Sequence, residues 1–157
     1  MGYWSKPNVF KVHNFIEIPI GQHRVKITDV SVERFTKTKK RCYEISLKVS
    51  GQPGILWHHI WFSPDDVERT DAEFLAFFKA FQIENHSLRS YKKWIGKTGG
   101  IYVLHQHGPT KYLKADEYEA VVHCYLDVEE LEKLPPWSDT TIEVEEEPVV
   151  VYDLIDL

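Results

Sequence analysis

Residues 21 to 35, GQHRVKITDVSVERF, alternate apolar and polar positions twice, with a change of phase between the two runs. Val25 and Ile27 share one face, whereas Val30 and Val32 share a face of opposite parity. A slip of one residue turns every later side chain to the other side of a sheet. The change near Thr28 and Asp29 therefore predicts one long strand bent by a bulge. After the basic loop TKTKKR at 36 to 41, CYEISLKVS puts Tyr43, Ile45, Leu47 and Val49 on one face and Glu44, Ser46 and Lys48 on the other. The turn GQPG at 51 to 54 joins this strand to ILWHHIWFS at 55 to 63, which makes a hairpin. That third strand is large on both sides, with Leu56, Ile60 and Phe62 on one and Trp57, His59 and Trp61 on the other.

The period then lengthens. Thr70 and Glu73 read as a capping box for one helix, whose apolar stripe is Phe74, Leu75, Phe78 and Phe81 with Phe77 beside it. A basic, aromatic connection, SLRSYKKWIGKTGG, leads to a fourth strand, IYVLHQH, at 101 to 107. GPTKYLKAD reads as a loop and YEAVVHCYL, 118 to 126, as a fifth strand. The Pro135 and Pro136 pair ends regular structure. Three strands, a helix and two strands, with the first strand bent, is the order of a mainly β, five-stranded OB-fold barrel with its helix between strands 3 and 4. The runner-up is another small barrel or sandwich of the same class.

The 157 residues are 43% apolar and 13% aromatic, which suits one domain with its own core. No run of 18 apolar residues could cross a bilayer, and MGYWSKPNVF lacks the apolar stretch of a secretory signal, so a soluble cytoplasmic protein without membrane contact is expected. Cys42 and Cys124 are too few for a disulfide framework and read as reduced core residues.

Charge changes the picture most. The formal net charge is −5, yet residues 1 to 114 hold 18 Lys and Arg against 10 Asp and Glu, while residues 115 to 157 hold one Lys against 14 acids. A body of +8 is followed by an end of −13. The boundary is placed near Leu134, giving a domain of 1–134 and an acidic, partly apolar C-terminal tail of 135–157.

A positive groove with flat side chains binds single-stranded nucleic acid, the charges following phosphates and the rings stacking on bases. In an OB-fold that groove crosses the middle strands between the loop joining strands 1 and 2 and the loop joining strands 4 and 5. The first loop supplies Lys37, Lys39, Lys40 and Arg41, led in by Arg34 and Phe35; the second supplies Lys111, Tyr112 and Lys114. Trp57, His59 and Trp61 lie between them. Lysines in loops are usually only solvated and strand tryptophans are usually core, so the combination carries more weight than any member. Either the two tryptophans are covered, for instance by an N-terminal arm with Tyr3, Trp4 and Phe10, or they form an exposed platform; period alone does not say which face lies inside.

Two other patterns compete. Glu145 to Glu147 suit a solubilising extension, but Val149, Val150, Val151, Tyr152, Asp153, Leu154, Ile155, Asp156 and Leu157 suit a peptide that docks on a partner or lies across the basic groove. His58 and His59, the pair His105 and His107, and His123 beside Cys124 raise a metal-dependent enzyme as a rival. The cupin pattern, however, needs a Glu where this chain has Lys111 and Tyr112. Motifs for nucleophilic, metallopeptidase, P-loop and dinucleotide chemistry are missing as well, so no cofactor, no metal and no catalysis are expected.

An Ile-Pro-x-Gly lead-in at Ile18 to Gly21, a basic loop opening an alternating strand, and a short helix before a Trp-Ile-Gly-Lys segment at 94 to 97 that enters the fourth strand lie within roughly residues 16 to 126. In these elements the chain resembles the phage-encoded single-stranded DNA-binding proteins of OB-fold type. The tail is similar to the acidic C-termini of such proteins, but it ends DLIDL without a Pro-Phe tip. The resemblance implies a protein coating single-stranded DNA in replication or recombination, in host cytoplasm if phage-encoded, with replication or recombination proteins recruited by the tail. The rival binding reading is a protein interaction module whose aromatic face is a partner or homo-oligomer interface.

Overall fold

The computed structural model describes residues 18 to 139. They form β1 (Gly21–Arg34), β2 (Arg41–Val49), β3 (Ile55–Phe62), α1 (Val67–Ala80), β4 (Thr98–His107), β5 (Tyr118–Tyr125) and the short α2 (Val128–Glu132), with 3-10 turns at Leu88–Trp94. The strands make one antiparallel sheet in the order β3-β2-β1-β4-β5. The sheet is not closed by backbone pairing. Its end strands are instead brought together by a hydrogen bond of 2.8 Å between His58 Nε2 of β3 and the Tyr125 hydroxyl of β5. The result is mainly β and barrel-like.

The bulge falls where the change of phase put it. Ile27 pairs with Leu47 but Asp29 pairs with Ser46, so Thr28 is the extra residue, and its hydroxyl lies 2.7 Å from Ser46 Oγ. Beyond it Val30 is as fully buried as Val25 and Ile27. Tyr43, Ile45, Leu47 and Val49 of β2 and Leu56 and Ile60 of β3 complete the sheet's half of the core. The turn at Gly51, where the backbone takes a φ of 74°, makes the hairpin between them.

The helix corrects the expected start. Asp66, not Thr70, is the N-cap, and its carboxylate accepts from the Arg69 amide. Thr70 lies one turn inside, buried, with its hydroxyl donating to Ser63 O and accepting from Ser63 N at 3.0 Å. The buried stripe is Phe74, Phe77, Phe78 and Phe81, and Leu75 is exposed. At about 100° per residue Leu75 lies roughly 160° round the helix from Phe77, at the centre of the buried stripe, and so faces away from the core. Trp94, expected in a connection, is 1% exposed and sits among Tyr43, Phe74, Phe77 and Phe78 with ring centroids 5.2 to 6.5 Å apart.

β4 starts three residues earlier than expected. A side chain at Gly99 would meet Ala80 O at 2.8 Å, and one at Gly100 would meet Leu126 and Leu131 at 2.9 Å. Glycine marks close approach here, not a loop. The second correction at this end is α2, which the proline pair obscured; its Asp127 and Glu130 form a reciprocal capping box. The segment after it is strapped across β1. The Arg24 guanidinium donates to the carbonyls of Leu131, Leu134 and Pro135 at 3.0 to 3.3 Å, and Ser138 N donates to Ser50 Oγ at 2.9 Å. Lys26 Nζ stands 4.6 Å over the Trp137 ring. Both cysteines are free, but only Cys42 is buried; Cys124 is exposed, because it faces outward from the end strand β5. No helix among the described residues is long and apolar enough to cross a membrane.

Candidate nucleic-acid interface

The core decides which side of β3 faces out. Leu56 and Ile60 are buried against α1 and the sheet, which turns Trp57 and Trp61 outward at 54% and 43% exposure. No layer covers them among the described residues. Tyr3, Trp4 and Phe10, the candidate cover, lie outside the described residues, as do Glu145 to Glu147, Val149, Val150, Val151, Tyr152, Asp153, Leu154, Ile155, Asp156 and Leu157 of the tail.

Cross-strand pairing builds the outer face in rows. Lys26, Lys48 and Ile55 make one, and Ser46 and Trp57 the next. Ser31, Glu44 and His59 follow, then Glu33, Cys42 and Trp61. Trp57, His59 and Trp61 therefore present rings at successive outward positions of an extended strand, about 6.6 Å apart. His59 Nε2 is 3.0 Å from Glu44 Oε2.

Two loops reach this face. Phe35 to Lys40 is a tight turn closed by Lys39 N donating to Phe35 O at 2.8 Å, with Lys39 at a φ of 64°. It brings Phe35 against Trp61, ring centroids 5.5 Å apart, and puts Lys40 in a groove with Trp61, His59 and Arg69, which Asp66 and Glu73 also line. Lys37 stands on the same turn. From the other side the loop between β4 and β5 folds on itself, Thr110 Oγ1 accepting from the amides of Tyr112 and Leu113 at 3.1 and 2.9 Å. It holds Tyr112 at 82% exposure beside a groove shared with Ser31, Glu33, Glu44, His59 and Trp61. Lys111 Nζ lies 5.6 Å from the Tyr112 ring, and the amide of Lys114 is tied to Glu117 at 2.7 Å.

Arg34 and Arg41 do not join this group. They pair with each other across β1 and β2 and share the parity of Tyr43, on the core side of the sheet. Arg41 stands 4.2 Å over the Phe62 ring. Both guanidinium groups pull the Tyr43 hydroxyl down against the stronger upward push of burial. Arg69 joins the group instead, beside the expected Phe35. Arg69 gave no signal in sequence because its place depends on where α1 begins.

No protein-family model and no curated protein matches the chain. The geometry must therefore carry the reading.

The histidines divide by environment. His58 points inward, and burial, then the neighbouring His59, lower its pKa to about 4. Its partner Tyr125 is pushed up by burial and by Glu73. His105 donates from Nε2 to the Ile18 carbonyl at 2.8 Å, and both His105 and His107 lie against the Tyr118 ring at 5.0 and 5.4 Å. No cluster of three or more His, Cys, Asp or Glu side chains able to hold a metal occurs among the described residues.

Proposed function

We propose that this chain is a non-enzymatic, OB-fold single-stranded DNA-binding protein that coats exposed strands during replication or recombination. One observation carries the reading: among the described residues Trp57 and Trp61 are 54% and 43% exposed on the outer side of an end strand, with the lysine turn and the Tyr112 loop both reaching Trp61. Exposed tryptophans are costly in water and favourable against flat apolar ligands, and base stacking supplies such ligands. Strand order also supports an OB-type barrel, since β1 lies between β2 and β4 and the helix follows β3. Lys37, Lys39, Lys40, Lys111 and Lys114 neutralise phosphates at the rims, while Trp57, Trp61 and Tyr112 stack on bases. The acidic C-terminal residues recruit partner proteins or compete with DNA.

A second reading, a protein interaction surface, draws on the carboxylates Glu33 and Glu44, which share the face with the rings. One titration separates the two. Adding oligo-dT quenches tryptophan fluorescence strongly if bases stack on Trp57 and Trp61, and the apparent affinity falls as salt rises. Unchanged fluorescence, or equal binding of single and double strands, overturns the DNA reading.

A further inference from the structure

We infer that this face selects single strands whose bases carry an exocyclic amino group, cytosine above thymine or uracil, through Glu44 and Glu33. The inference rests on the single-strand reading above and adds the base class to it.

The ring platform and the carboxylates interlock. Glu44 is the cross-strand neighbour of His59, between Trp57 and Trp61 along the strand, and Glu33 lies across Cys42 from Trp61. Both acids are close enough to Cys42 to raise its thiol pKa further than burial alone. His59 engages one oxygen of Glu44 at 3.0 Å, and a carboxylate has lone pairs left on both oxygens. Phosphates cannot lie on this band without meeting two negative charges. They belong at the rims, on the Lys37 to Lys40 turn and the Lys111 loop, so the bases point inward over β2 and β3.

A base stacked on Trp57 or Trp61 then turns its edge toward an acceptor with no proton to give. The N4 amino group of cytosine donates to such an acceptor. The O4 of thymine or uracil presents lone pairs at the same corner and is repelled, and their N3–H lies between two carbonyl oxygens that oppose a carboxylate's approach. Adenine, with its N6 amino group, falls on the cytosine side.

The test compares oligo-dC with oligo-dU of equal length by tryptophan quenching at pH 8, where neither base is protonated and neither carries the thymine methyl. The expected result is tighter binding of oligo-dC by about tenfold, the discrimination of one well-placed side-chain contact. Glu44→Gln, whose amide offers a donor as well as an acceptor, brings the ratio close to one; Glu44 is half exposed, so this variant keeps the fold. Glu33→Gln lowers the ratio less, because Glu33 lies one strand farther from the rings. Strong quenching by both oligomers with equal affinity overturns the base selection and leaves the DNA reading standing. A ratio unaltered by either variant also overturns it. Quenching by neither oligomer removes both.

Discussion

Trp94 and Trp57 place the same indole in opposite surroundings. Trp94 is enclosed by Tyr43, Phe74, Phe77 and Phe78, whereas Trp57 projects from the outer face of β3 with no layer above it among the described residues. The contrast continues within β3, where His58 turns inward to Tyr125 and His59 turns outward to Glu44. Aromatic content therefore says little about function until each ring is assigned to a side. The inner rings stabilise the fold by area removed from water. The outer rings leave that area for a ligand.

The sharpest test of this division is truncation. Trp94→Ala should cost about 3 to 5 kcal/mol of stability, read as a lower urea midpoint. Trp94 Nε1 has no hydrogen-bond partner among the described residues, so Trp94→Phe should lose less than its volume alone suggests. If Trp57→Ala destabilised as much as Trp94→Ala, the outer face would have to be covered, and the platform would fail.

The adjacent histidines give a second test. His58 is held neutral, its pKa lowered to about 4 from an ordinary 6.5 by burial first and His59 second. The unfolded chain binds a proton at this position below about pH 6.5 that the folded chain refuses until about pH 4. The His58 contribution is complete above pH 6.5, falls as pH drops through that window, and reaches about 3 kcal/mol of lost stability near pH 4. Urea unfolding at pH 7 and pH 4.5 should show this slope, and His58→Gln should flatten it relative to the parent chain. An equal slope in both proteins would place His58 in solvent.

Much of the inner half is legible in sequence. The parity change at Thr28 locates the bulge, because only an inserted residue lets Ile27 and Val30 both face the core. The Phe74 to Phe81 stripe locates α1. Three features escape the same logic. Gly99 and Gly100 resemble a loop until the approach of Ala80, Leu126 and Leu131 is known, and that approach is tertiary. Trp94 reads as part of a basic connection because lysines surround it, although packing decides its place. The facing of β3 is hidden because both of its sides are large, and only α1 breaks the symmetry. Arg34 and Arg41 miss the outer face for a related reason: their basic neighbours advertise charge, while strand parity sends them to the other side.

Binding should mirror stability across the two regions. Trp57→Ala and Trp61→Ala are each expected to leave the urea midpoint within about 0.5 kcal/mol of the parent, as for exposed sites. Each should weaken oligo-dT binding by about 1 to 3 kcal/mol, the worth of one stacked base, measured by polarisation of a labelled oligomer. Trp61 should show the larger loss, since Phe35 orders its ring at 5.5 Å and Lys40 shares its groove.

The smallest effect concerns the lysine turn, and it tests whether the rims hold phosphate. Lys39 occupies the left-handed region at a φ of 64°, so its charge is best removed as Lys39→Gly, with Lys37→Ala beside it. Each lost phosphate contact should reduce the slope of log affinity against log salt by roughly 0.7 without altering the fluorescence change at saturation. Lys133, the C-cap of α2 and outside both ring-lined grooves, is the control: Lys133→Ala should leave the slope as it was. A turn that only solvates the loop would give the control's result at Lys37 and Lys39. Phosphate contacts would then fall to Lys40, Lys111 and Lys114, and the side where Phe35 meets Trp61 would bind through its rings.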